Sequence, residues 1–169
     1  NAAEVIRFLN DYWNLKLSKK EMKKIGFIFG CDIPYFIEGK PSVVKGFGER
    51  IKPIKINNAL EEIILLIPSF SLSTKEVYNC CDVSKLMKQN SVKKIFKNRK
   101  VDYSLLFNDL TGPANMVSEG KINNIIKELK SFGYNKYVMS GSGSTFVIFE
   151  DPKERKNIEE KIVGSKCFV

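Results

Sequence analysis

Val5, Phe8, Leu9, Tyr12 and Trp13 recur at the three- and four-residue intervals of one helix face, so their spacing predicts an amphipathic helix over residues 2–14. Ser18 with Glu21 forms a capping-box pattern, and Met22, Ile25 and Ile28 follow on one face. A second helix is therefore expected over 19–28, stopping near Gly30. Short apolar runs between turn residues then predict strands over 34–38, 42–46 and 50–55, with turns at Gly39-Lys40-Pro41 and Phe47-Gly48. Asn57-Asn58 reads as a linker.

Past the linker, Ile63 to Ile67 is an apolar run of strand length that ends at Pro68. A second capping-box pattern, Ser73 with Glu76, opens a helix expected to bury Val77, Cys80 and Cys81. Shorter helical patterns follow around 84–89 and 91–98, then a turn-rich loop over 108–114. Ile122, Ile125, Ile126, Leu129 and Phe132 define a further helix closed by Gly133. Strands are expected at 137–139 and 146–149, a helix near 152–162, and a terminal strand at 166–169.

This order predicts an α+β class, with a helix-covered sheet built from residue 62 onward. Residues 1–56 offer two helices and a few strands with little to pair against. The expected domain division is 1–57 and 58–169. The chain opens on Asn1 rather than Met, with a helix pattern almost at once, and this points to a segment preceding it. No apolar run approaches the length that spans a bilayer, and no signal-peptide pattern is visible, so neither a membrane nor a secretory role is expected.

Composition narrows the chemistry. Of 28 basic residues only four are Arg, and the excess of Lys arrives with many Ile and Asn. The net charge of +9 therefore reads as compositional bias more than as a nucleic-acid surface, and it also suits an anionic small substrate. The cluster Lys93, Lys94, Lys97, Arg99 and Lys100 reads as a solvated face. Histidine is absent, which removes Ser-His-Asp and Cys-His catalysis and any His-ligated metal within this chain. No metal site is expected from its residues. The four cysteines form no C-x-x-C pair, and they read as reduced, buried thiols of a cytosolic-type compartment.

Three segments carry candidate chemistry. In Gly30-Cys31-Asp32-Ile33-Pro34-Tyr35-Phe36, Asp32 stands between a capped helix and an expected strand. A carboxylate there can satisfy the turn by accepting backbone N–H bonds, or face a cleft as an ionised base. Met139-Ser140-Gly141-Ser142-Gly143-Ser144-Thr145 is a tight loop of small residues between two strands. It is either a hairpin turn or an anion-binding nest of N–H groups. Phe146 stands where a dinucleotide fingerprint needs its last glycine, and the loop has no Walker lysine. Asn1-Ala2-Ala3 opens a helix whose first N–H groups can attract an anion.

Taken together, these segments resemble the GHMP family of small-molecule kinases. Asn1-Ala2-Ala3 is similar to the end of that family's glycine- and serine-rich ATP loop, in the form S-S-N-A-A. Leu17-Ser18 through Gly30-Cys31-Asp32-Ile33-Pro34-Tyr35-Phe36 is similar to its stretch L-S…G-A-D-V-P-F-F. Gly46-Phe47-Gly48-Glu49 resembles its G-x-G-E turn, Asn108-Asp109-Leu110 its N-D-L segment, and Ser140 to Thr145 its third glycine motif. The five matches fall in order over nearly the whole chain.

The resemblance implies a GHMP kinase fold, with part of a ribosomal-S5-like domain followed by a ferredoxin-like one. It implies ATP and Mg²⁺ as cofactors. The implied reaction moves the γ-phosphoryl group to the 2-hydroxyl of 4-diphosphocytidyl-2-C-methyl-D-erythritol, in non-mevalonate isoprenoid synthesis. Asp32 would be the catalytic base. Asn1, Ala2, Gly141, Ser142 and Gly143 would belong to the ATP and phosphate loops. Thr74 and Tyr78 would contact substrate, although Tyr78 also fits ordinary core packing. Cys31 departs from the family's small Ala. The family's N-terminal lysine and most of its phosphate loop have no counterpart here, so these residues by themselves are expected to be inactive. A cytoplasmic or plastid location and a monomer or weak homodimer are implied. The rival readings are a mevalonate-type or homoserine kinase, and a Lys-rich nucleic-acid-binding module.

Overall fold

The computed structural model describes residues 1–57, 63–86, 94–149 and 166–168. The chain divides into two compact units, Asn1–Asn57 and Asn58–Val169, each described by itself.

In the first unit, helix α1 runs from Ala2 to Tyr12 and helix α2 from Lys19 to Phe29. The start of α2 is fixed by a full capping box. The Ser18 hydroxyl accepts from the Glu21 N–H at 3.3 Å, and the Glu21 carboxylate accepts from the Ser18 N–H at 2.8 Å. Two N–H groups that the helix cannot pair internally are thereby satisfied.

The strand expected over 34–38 does not form; Ile33–Glu38 is a helix, α3. Pro34 lies in its first turn, where a missing N–H leaves no bond unmade, and Gly39 ends it in the left-handed conformation at φ 62°. Pro34 and Ile37, three positions apart, are its buried residues. Two contacts from the earlier helices hold its far end. The Arg7 guanidinium donates to the carbonyls of Phe36 and Ile37, and Lys23 Nζ lies 2.6 Å from Glu38. Cations at the C-terminal end of a helix meet its negative dipole end. An antiparallel hairpin follows, β1 (Ser42–Lys45) with β2 (Arg50–Pro53), in which Val44 faces Ile51.

The second unit is built on a four-stranded antiparallel sheet. Its strands are β3 (Ile64–Ile67), β6 (Tyr137–Met139), β7 (Phe146–Ile148) and β8 (Lys166–Phe168), in the order β6-β7-β3-β8. Ile64 faces Ile148 and Leu66 faces Phe146 across the β3–β7 pair, and all four are buried. Their shared face meets Val77 of helix α4 (Thr74–Asn79), Ala114 of α5 (Thr111–Val117), and Ile122, Ile125 and Leu129 of α6 (Lys121–Ser131). Each fully buried aliphatic side chain of this cluster contributes about 1.5–3 kcal/mol relative to exposure, so this cluster dominates the unit's stability.

Several local expectations are corrected here. The loop expected over 108–114 gives way at Thr111 to α5, which accommodates Pro113 because first-turn N–H groups have no internal partner. In place of a helix through 98, Phe96–Lys97 (β4) pairs with Lys100–Val101 (β5). Asn98 and Arg99 form its turn at φ 53° and 60°, the positive values that two-residue hairpins require. Around 84–89, the described part is a single 3₁₀ turn, Val83–Lys85, capped by Asp82. The helix expected near 152–162 lies outside the described residues. Among the described residues, no helix is long and apolar enough to cross a membrane.

Candidate functional site

Asp32 is the N-cap of α3, so it leads into a helix and not into the expected strand. Its backbone is already helical, at φ −85° and ψ −20°, whereas a capping residue usually adopts the extended region that aims its side chain at the next N–H groups. Its carboxylate accordingly makes no capping bond and stands exposed. The expectation that it accepts backbone N–H bonds is therefore corrected. Its carboxylate is free to meet a ligand.

The hairpin turn lies directly against this segment. Gly48 adopts φ 112°, and a Cβ there would sit 2.2 Å from the Cys31 carbonyl oxygen. Only glycine lets the turn approach the backbone beside Asp32 so closely. The Glu49 carboxylate folds over the turn, accepting from the Phe47 N–H at 2.7 Å and lying 3.3 Å from Arg50 Nε. Backbone donors at Glu49 itself and at Phe47, helped by the Arg50 charge, outweigh desolvation and hold its carboxyl below the ordinary range. A cleft of about 380 Å³ in this unit is lined by residues that include Lys20, Lys23, Lys24, Phe27, Pro34 and Glu49. Asp32 is not part of it.

Asn1 and Ala2 open α1 and are exposed. Asn1 is the N-cap, but its side chain makes no capping bond, which leaves the first-turn N–H groups without a side-chain acceptor. An eleven-residue helix in this state presents the partial positive charge that anions favour.

In the second unit the small-residue loop is held by hydrogen bonds within it and by bonds to Phe70 and Asn108. The Ser140 N–H donates to the Thr145 carbonyl at 2.8 Å, and the Gly143 N–H to the Ser140 carbonyl at 3.0 Å. The Ser144 hydroxyl donates to the Phe70 carbonyl. Asn108 Nδ2 donates to the carbonyls of Met139 and Gly141, both at 2.7 Å, while its Oδ1 accepts from the Leu110 N–H at 2.9 Å. Gly143 takes φ 90°, with Met139 Sδ and Leu72 already about as near as a Cβ could tolerate, at 3.0 and 3.1 Å.

Thr74, the first residue of α4, reaches this loop through a hydroxyl–hydroxyl contact of 2.9 Å with Ser142. Tyr78 stands one turn further along the same helix and is 60% exposed, so the core-packing reading for it fails. Thus Thr74, Gly141, Ser142 and Gly143 are brought together, with Tyr78 on the adjoining helix surface. Asn1, Ala2 and Asp32 lie in the first unit.

Asn108 is the residue that sequence reasoning undervalued. It was visible as part of an N-D-L segment and as an Asn two positions before a turn N–H, which is a local signal. Its clamp on the loop spans 31 and 33 residues and has no local signal. The buried-thiol expectation is also corrected: Cys31 and Cys80 are exposed and Cys81 is partly so. Cys80 falls at the C-cap of α4, beyond the buried Val77, where the helix turns away from the core.

No protein-family model matches the chain. Among curated proteins, the 4-diphosphocytidyl-2-C-methyl-D-erythritol kinase of Clostridium beijerinckii is 36% identical over 157 residues, which cover 89% of this chain and 55% of that protein. The enzyme of the same name from Clostridioides difficile is 33% identical over 171 residues, covering 98% of this chain and 56% of that one. The one from Thermoanaerobacter pseudethanolicus is 33% identical over 182 residues, 100% of this chain and 60% of that one. The chain thus spans about half the length of the curated relatives it matches. A crystal structure of a 4-(cytidine 5'-diphospho)-2C-methyl-D-erythritol kinase superposes with a TM-score of 0.72 over 99% of this chain and 61% of that one. At 20% identity that likeness is one of fold.

Proposed function

We propose that this chain, a homologue over most of its length of the 4-diphosphocytidyl-2-C-methyl-D-erythritol kinases, belongs to a protein that phosphorylates the 2-hydroxyl of that cytidyl substrate from ATP. The observation that carries the reading is 36% identity over 89% of the chain to a kinase of that name. The solvent-facing, uncapped carboxylate of Asp32 agrees with it.

In this reading Asp32 accepts the proton of the attacking hydroxyl and holds that oxygen in line with the γ-phosphorus. Asn1 and Ala2, at the start of α1, turn N–H groups toward phosphate. Gly141, Ser142 and Gly143 brace the other glycine loop by backbone geometry. With the Gly143 N–H engaged by Ser140, that loop serves as a rigid wall more than as a full nest. Thr74 offers a hydroxyl and Tyr78 an exposed ring on which a cytosine can stack.

Mg²⁺ supplies charge neutralisation on the phosphates when bound. The described residues contain no cluster of three His, Cys, Asp or Glu able to hold a metal.

The first unit would be part of a ribosomal-S5-like domain and the second a ferredoxin-like domain. The strand order β6-β7-β3-β8, with helices α4 to α6 between β3 and β6 in sequence, supports the second assignment.

The test is turnover by the complete gene product with ATP and a panel of acceptors. Phosphorylation of the cytidyl substrate alone is expected. Equal turnover of mevalonate derivatives or homoserine would overturn the substrate assignment.

A further inference from the structure

We propose that Cys80 and Cys81 form a chelating dithiol site for a trivalent arsenical, independent of the kinase reading. The two thiols are neighbours in sequence, both free, one exposed and the other partly so. They line a single groove of about 320 Å³ together with Asp82, Asp109, Pro113 and the thioether-bearing Met116. Met116, on α5, is itself 67% exposed, so the groove offers soft sulfur donors from the segment that ends α4 and from α5 on an accessible wall.

Neighbouring Cα atoms stand only ~3.8 Å apart across a trans peptide, below the ~4.4 Å lower limit usual for a disulfide. Direct S–S closure would strain the last turn of α4. In that turn the Cys80 N–H donates to the Glu76 carbonyl at 3.1 Å and the Cys81 N–H to the Tyr78 carbonyl at 3.0 Å. One three-coordinate atom between the two sulfurs widens the span and removes that strain. The pair therefore resists becoming a disulfide and favours a bridging thiophile. The second sulfur binds intramolecularly at high effective concentration, which neither Cys31 nor any other isolated thiol can match.

The step balances without an oxidant. An arsenoxide R–As=O meets the two thiols, both S–H bonds break, and two As–S bonds form. The oxide oxygen leaves as water with the two protons, and arsenic stays trivalent. The adduct forms beside Tyr78, three residues upstream of Cys81 on the same turn.

Phenylarsine oxide is the probe, added to this chain and followed by intact mass. One adduct per chain is expected, retained in excess 2-mercaptoethanol and released by 2,3-dimercaptopropanol. Cys80→Ser and Cys81→Ser, each checked for native circular dichroism, should each lose the monothiol-resistant adduct. The double variant Cys31→Ser/Cys167→Ser should keep it. No resistant adduct on the unaltered chain, or a resistant adduct that survives Cys80→Ser, overturns the proposal.

Discussion

The Thr74 hydroxyl and the Ser142 hydroxyl lie 2.9 Å apart although 68 residues separate them in the chain, and their contact ties the start of α4 to the small-residue loop. Neutral hydrogen bonds of this kind contribute about 0.5–1.5 kcal/mol net, and this one is exposed, so the low end is expected. A double-mutant cycle with Thr74→Val and Ser142→Ala, read by urea unfolding, should give a coupling energy of roughly 0.5 kcal/mol. Strict additivity would show that the two hydroxyls meet without mutual stabilisation.

Asn108 should matter more. Asn108→Ala leaves the Met139 and Gly141 carbonyls without their donor and frees the Leu110 N–H, in a partly buried setting. Loss of a buried partner of this type costs roughly 1–3 kcal/mol. Asn108→Asp keeps the acceptor for Leu110 but replaces the donor with a carboxylate facing two carbonyls, so it should be no milder. Urea midpoints and faster amide exchange at 140–145 are the measurements; an unchanged exchange pattern would mean the loop is held without the clamp.

Asp32→Asn separates chemistry from folding. Because Asp32 makes no capping bond, the substitution should leave the unfolding midpoint nearly unchanged, within about 0.5 kcal/mol as for other surface changes. In the complete gene product, turnover should fall by roughly 10²–10⁴-fold, the range that general-base help supplies. Near-normal turnover with ATP and the cytidyl substrate would leave Asp32 no catalytic role.

Acid should loosen the first unit through Glu38. The hydrogen bond from Lys23, ahead of the charges of Lys23 and Lys19, holds its carboxyl below the ordinary value. A depressed carboxylate pKa means the stabilisation is complete above the unfolded pKa and is lost as pH falls through the folded one. Helicity followed by circular dichroism should therefore fall at acid pH, and Glu38→Gln should flatten that part of the profile. High salt should weaken the effect at neutral pH, since the pair is near the surface.

Much of this was legible in the residues. Ser18 with Glu21 announced α2, and the 3.6-residue rhythm of Ile122, Ile125 and Leu129 announced α6, because caps and amphipathic faces are local. The apolar run at 33–37 misled, since so short a run suits a strand or a buried helix equally. Its helical state depends on packing that brings Arg7 and Lys23 to its far end. The cysteines misled for a related reason: the rhythm that buries Val77 ends one turn before Cys80 and Cys81.

By itself the sequence determined the class of fold, the helices with strong caps, the central strands, and the local settings of Asp32 and of Gly141 to Gly143. Those features depend on neighbours within a few positions, where spacing and turn chemistry suffice, whereas Thr74 and Tyr78 were singled out only by the resemblance to the GHMP kinases. Only tertiary structure decided that the Asp32 carboxylate stays uncapped, that Gly48 rests on the Cys31 carbonyl, and that Asn108 and Thr74 hold the loop. The contacts of Asn108 and Thr74 depend on distant segments that the core around Ile64, Leu66 and Phe146 brings together, and the approach of Gly48 to Cys31 depends on how the hairpin and helices pack within the first unit.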